Sequence, residues 1–74
     1  MPRLRPQKPA KIIKVLEKLG FVRIRQTGSH AIYRHPDGRW TVVPIHLRKD
    51  VGKGLFHKIL EQMKLTHEEF EEMV

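Results

Sequence analysis

Five histidines, a single serine and no cysteine limit the chemistry open to this chain. Without cysteine there is no thiol nucleophile, no disulfide and no thiolate metal site. Ser29 adjoins His30, but neighbours along a strand point to opposite faces, so the two do not form a nucleophile–base pair locally. Paired-carboxylate catalysis is excluded in a similar way, because residues 1–58 contain only Glu17, Asp37 and Asp50 as acids. The histidines, at 30, 35, 46, 57 and 67, lack the spacing of a metal site, and neither metal nor cofactor is expected. What remains is proton transfer by an imidazole, which titrates near neutrality. RNA suits such a protein because it carries its own nucleophile, the 2′-hydroxyl. Its cleavage needs a base, a proton donor for the leaving 5′-oxygen and cations around the phosphate.

The cations are abundant. Residues 1–58 hold fourteen Lys and Arg against three acids, a balance of +11, whereas residues 59–74 hold Lys64 against five glutamates, a balance of −4. A basic body with an acidic end reads as a surface for a polyanion. Lys11, Lys14, Arg23, Arg25, Arg34 and Lys53 are the candidate phosphate contacts, with Ser29 as a hydroxyl donor; a solvated surface is the plain alternative for each of them. Tyr33 and Trp40 are suited to stacking on bases, but core packing is the expected role for both in so small a protein.

The local sequence indicates which elements must hold these groups. Pro9 suits a first helical turn, Ile12, Ile13, Leu16 and Leu19 follow at helical spacing, and Gly20 stops the helix. Residues 21–26 alternate with period two and predict a strand with one buried face. A turn at Thr27-Gly28-Ser29, shaped by Gly28, leads to a strand over 30–34. Then come a hairpin turn over 35–39 and a third strand over 40–45, whose Pro44 places it at an edge or at the strand's end. After a basic loop (residues 46–53), Leu55, Phe56, Ile59, Leu60 and Met63 mark a second helix led by Gly54. Thr66-His67-Glu68-Glu69 is a capping-box start for a short third helix. Residues 1–8 read as a flexible basic N-terminus and 9–74 as one domain. The class is α+β, in the order α-β-β-β-α with a short C-terminal helix: a three-stranded antiparallel sheet with helices on one face, as in double-stranded-RNA-binding domains. No apolar run is long enough for a membrane span and no signal peptide is expected. The lack of cysteine accords with a cytoplasmic setting.

Of the histidines, His30 opens the second strand behind a Gly-Ser turn, a position both rigid and accessible. His35 and His67 fit turn and capping roles, His57 is expected to be exposed, and His46 lies in the basic loop. Gly28-Ser29-His30, followed by Tyr33 and Pro36-Asp37-Gly38, resembles the signature of HicA toxins, the YcfA-like mRNA interferases. The resemblance takes in Leu16 to Phe21 and Val42 to His46, and continues through Gly54 and Ile59-Leu60. It implies the double-stranded-RNA-binding-domain fold, ribosome-independent cleavage of mRNA, His30 as the catalytic histidine and a HicB-like antitoxin as partner. Gly54-Leu55-Phe56 departs from the Gly-Thr-Leu common in that family and lacks its hydroxyl. The expected function is thus a toxin endoribonuclease that needs no metal. A non-catalytic RNA-binding module is the alternative on the same fold and charge, and an adaptor acting through the acidic end is a third reading.

Overall fold

The computed structural model describes residues 5–45 and 49–74. Residues 1–4 and 46–48, and with them His46 and part of the basic loop, lie outside the described residues. The order is α1 (Pro9–Leu19), β1 (Val22–Thr27), β2 (His30–Arg34), β3 (Trp40–Pro44), α2 (Lys53–Met63) and α3 (His67–Met73). The strands form one antiparallel sheet in the order β1-β2-β3. This is the α+β architecture expected from the sequence.

Each element follows from local chemistry. In α1 the spacing of Ile12, Val15 and Leu16 makes one fully buried stripe. Gly20 ends the helix at φ 100°, where its N–H and that of Phe21 satisfy carbonyls of the last turn. α2 starts one residue earlier than its Gly54 signal and buries Phe56, Ile59, Leu60 and Met63, while Leu55 stays 43% exposed. At α3, Thr66 accepts the Glu69 amide and Glu69 accepts the Thr66 amide, so the capping box forms. Phe70 of α3 then packs edge-on against Phe56, with ring centroids 4.8 Å apart.

The helices cover one face of the sheet. Ala31, Tyr33, Thr41 and Val43 alternate as the buried positions of β2 and β3, facing α1 and α2. Two of the expectations fail here. β1 has no buried face, since all six of its residues are exposed, including Val22 at 60% and Ile24 at 56%. It is an edge strand, and an extra residue at Ile24 breaks its register, so that Arg23 pairs with Tyr33 and Arg25 with Ile32 on opposite faces. The apolar residue that does anchor this stretch is Phe21, just before the strand. Trp40 is likewise not in the core: it is 55% exposed, because it pairs with Arg34 on the uncovered face. Tyr33, by contrast, is buried as expected.

The hairpin end of the sheet is tightly knitted. His35 Nε2 lies 3.1 Å from the Leu19 carbonyl, its ring packs against Phe21, and its Nδ1 accepts the Asp37 amide. Arg39 donates to Asp37 and to the Met63 carbonyl, so the C-terminal ends of both α1 and α2 are held at this hairpin. Both helices therefore begin at the opposite end of the sheet, beside the β1–β2 turn. There Gln7 and Val51 exchange two backbone hydrogen bonds (3.0 and 2.7 Å), tying the approach to α1 to the approach to α2. Gln7 is 8% exposed, so the packed body takes in a residue ahead of Pro9.

Candidate active site

His30 is the first residue of β2, directly behind a two-residue turn in which Thr27 pairs with His30. Gly28 has φ +57° and Ser29 does not share the positive φ. This is the sign pattern of a type II′ hairpin turn, whose first central position is the natural place for glycine. The Ser29 carbonyl accepts the Ile45 amide, so the end of β3 is pinned to the same turn. On its two sides His30 faces Thr27 and Pro44. The imidazole is exposed, yet its backbone is fixed on both flanks.

Pairing decides what shares its face. His30, Ile32 and Arg34 of β2 lie on the uncovered side, with Val22, Arg25 and Thr27 of β1 and Trp40, Val42 and Pro44 of β3. Among the described residues, the strands place no carboxylate on that face. Arg25 and Arg34 are exposed and have no hydrogen-bond partner among the described residues. Arg23 is different. It pairs opposite Tyr33 on the helix side, donates from Nε and Nη2 to the Tyr33 hydroxyl (3.0 and 2.8 Å) and from Nη1 to Gln26. Its guanidinium is engaged by the fold, apart from His30.

The remaining candidates divide by position. Lys11 and Lys14 are exposed on α1, Lys14 opposite its buried stripe and Lys11 on the flank, on the helix side of the sheet and so away from the His30 face. Lys53 opens α2 at the His30 end. Neither α1 nor α2 has a side-chain cap or an acidic residue in its first turn, so both starts keep their positive dipole. At α1 Pro9 has no N–H and the Lys11 amide bonds the Lys8 carbonyl, so it is α2 that offers the more open start. Ser29 is half-buried in the turn. That the approaches to the two helices meet at the histidine's end is not legible in the sequence, because the Gln7–Val51 bridge joins positions far apart along the chain.

The other described histidines all have partners. His35 is built into the hairpin, His57 pairs with Glu61 on the surface of α2 (2.9 Å), and His67 bonds Glu71 within α3 (3.1 Å). Among the described residues, His30 is the histidine whose ring has no partner in the chain. An exposed imidazole without a structural task, on a rigid strand and a cationic face, can give or take a proton from a bound polyanion.

These features define a class: a small basic α+β domain with an open sheet face that, among the described residues, offers one free histidine. The family described as "HicA toxin of bacterial toxin-antitoxin" matches residues 9–65, from the start of α1 to just past α2, and the chain belongs to it. No curated protein matches the chain. Membership makes the protein a toxin of a toxin–antitoxin system and implies an antitoxin partner. α3 falls outside the matched residues, and no helix among the described residues is long and apolar enough to cross a membrane.

Proposed function

We propose that this toxin is an endoribonuclease that cleaves mRNA without the ribosome or a metal, using His30 for proton transfer. The observation that carries the reading is the imidazole of His30, exposed and unpartnered on a face with two unpaired arginines and no acid. The α-β-β-β-α order, shared with double-stranded-RNA-binding domains, accords with an RNA substrate. In the step we assign, the RNA 2′-oxygen bonds to the adjacent phosphorus and gives up its proton to a base. The P–O5′ bond breaks, and the leaving oxygen takes a proton from an acid. His30 serves as that base or that acid, and the products are a 2′,3′-cyclic phosphate and a 5′-hydroxyl. Gly28 sets the turn that presents His30. Ser29, Arg25, Arg34 and Lys53, with the open α2 start, are its candidate phosphate contacts, and Lys11 and Lys14 are contacts for RNA that passes around the helix layer. The partner is a HicB-like antitoxin, and the setting is the cytoplasm.

The test pairs His30→Ala with a substrate bearing one 2′-deoxy nucleotide at the cut site. Either change should stop cleavage, a chelator should not, and circular dichroism and filter binding should show that the variant still folds and binds RNA. Cleavage by the folded variant, or of the deoxy bond, would refute the assignment.

A further inference from the structure

We propose that Trp40 and Arg34 form a nucleotide subsite on the open sheet face, displaced from the bond cut at His30, which holds a base of single-stranded RNA by stacking. The inference rests on the nuclease reading and adds to it a binding position for the substrate.

Trp40 and Arg34 are cross-strand partners at the hairpin end of the sheet, and His30 stands on the same face at the other end of β2. Arg34 lies four steps along the strand from His30, about 13 Å at the usual rise. A base on Trp40 is therefore not the base at the scissile phosphate, but one further along the same strand of RNA. Between the two positions the floor is shallow and apolar, made by the half-buried pair Ile32 and Val42.

The occupant follows from the chemistry of the face. Trp40 is the sole tryptophan of the chain and keeps over half of its surface in water, although burial of so large an aromatic would stabilise a small protein. Beside it stands the free guanidinium of Arg34. Arg39, the next arginine along the chain, is by contrast bonded to Asp37 and stacked over Phe21. A flat aromatic beside an unpaired cation, on a face without acids, suits a base and its phosphate. Trp40 also walls a depression of about 460 Å³ that includes Gln62, Lys64, Glu61 and Asp37. That depression opens toward α2, whose Gln62 bonds the buried Thr41, so it borders the subsite at the β3 edge and is not part of the acid-free face that would hold the base and its phosphate.

The single tryptophan supplies the assay, because its emission reports on this residue alone. The His30→Ala protein, which cannot consume the ligand, is titrated with a single-stranded oligoribonucleotide. We expect saturable quenching of Trp40 and, by filter binding because these variants lack the reporter, a Kd raised at least about fivefold by adding Trp40→Ala and near-full retention of affinity with Trp40→Phe. With active protein, an abasic scan of the substrate should find one position, away from the cut, where losing the base raises KM. Trp40→Ala should be indifferent to that same loss. RNA that is cleaved with no quenching, and with KM unchanged by Trp40→Ala, overturns the subsite and leaves the nuclease reading intact. Quenching by the antitoxin but not by RNA also overturns it and assigns the face to the protein partner. Failure of the active protein to cut any RNA refutes the nuclease reading, and the quenching titration then judges the subsite by itself.

Discussion

Alanine at three glycines of this protein should have three different effects, although each change adds the same methyl group. Gly28 has φ +57° and nothing within 4 Å of an added Cβ, so the cost of Gly28→Ala is confined to the backbone. An L-residue on that side of φ costs about 1–2 kcal/mol, and the stiffer unfolded chain returns about 0.4–1 kcal/mol, leaving a net loss near 1 kcal/mol. In a domain of this size each kcal/mol moves the midpoint by about 4–8 °C. Gly54 lies within α2, also in open space but without the positive φ, so Gly54→Ala should raise stability by about 0.5–1 kcal/mol. Gly20 combines φ +100° with an approach of 3.3 Å to His35 Nε2, and Gly20→Ala should cost more than Gly28→Ala because it also disturbs the His35–Leu19 contact. Thermal and urea unfolding would rank the three. A chain of 74 residues is within reach of chemical synthesis, and D-alanine at position 28 should restore what L-alanine loses. Since His30 follows this turn, kcat for Gly28→Ala should fall by more than its unfolded fraction explains. If the alanines at 28 and 54 shift the midpoint in the same direction, the reasoning from φ is refuted.

RNA affinity should fall with salt, and Arg34→Gln should make the slope of log K against log salt shallower by about 0.7. Arg23→Gln should leave that slope alone and lower stability instead, and equal slope changes in filter-binding titrations would contradict the division of the two arginines. Thr66→Ala should cost about 0.5–2 kcal/mol by opening the capping box, as read from the unfolding midpoint. The Thr66 amide and hydroxyl hold the Glu69 carboxyl below its ordinary pKa, and the Arg39 amide and guanidinium do the same for Asp37. Their contribution to stability is therefore full above about pH 4 and is lost as pH falls through the lowered values. Thr66→Ala and Asp37→Asn should each flatten the acid limb of a plot of stability against pH, and an unchanged limb would contradict this. The toxin co-purified with its antitoxin should not cut RNA, since a partner attracted by the basic body can cover His30 directly; cleavage by the complex at the rate of the free protein would exclude occlusion.

The sequence was most informative where a rule is local. Gly20, the Thr66 capping box and the turn before His30 each depend on a few adjacent residues, and all three take the expected form. It misled where burial depends on neighbours in space. Alternation in β1 has the pattern of a half-buried strand, but both β1 and β3 are edges, and it is the seating of α1 and α2 over β3 that leaves β1 without a buried residue. Trp40 reads as core by composition, and its face is fixed by the register that sets it opposite Arg34. For the candidate cations the sequence supplies the charge but not the company. Arg23 and Arg25 look alike two residues apart, yet the bulge between them leaves one bonded to Tyr33 and the other open to solvent.

The bridge between Gln7 and Val51 has a consequence for hydrogen exchange. Each amide is bonded to the carbonyl of the other, across two segments that have no other strand pairing among the described residues. The two bonds join the same pair of residues, so separation of the segments frees both protons together, and the two should exchange at a common opening free energy, below that of the core. That opening separates the starts of α1 and α2 at the end of the molecule where His30 stands. The pair of amides is thus a reporter already built into the chain: a ligand seated at that end should slow both protons by the same factor, while one bound at the hairpin end should leave them unchanged.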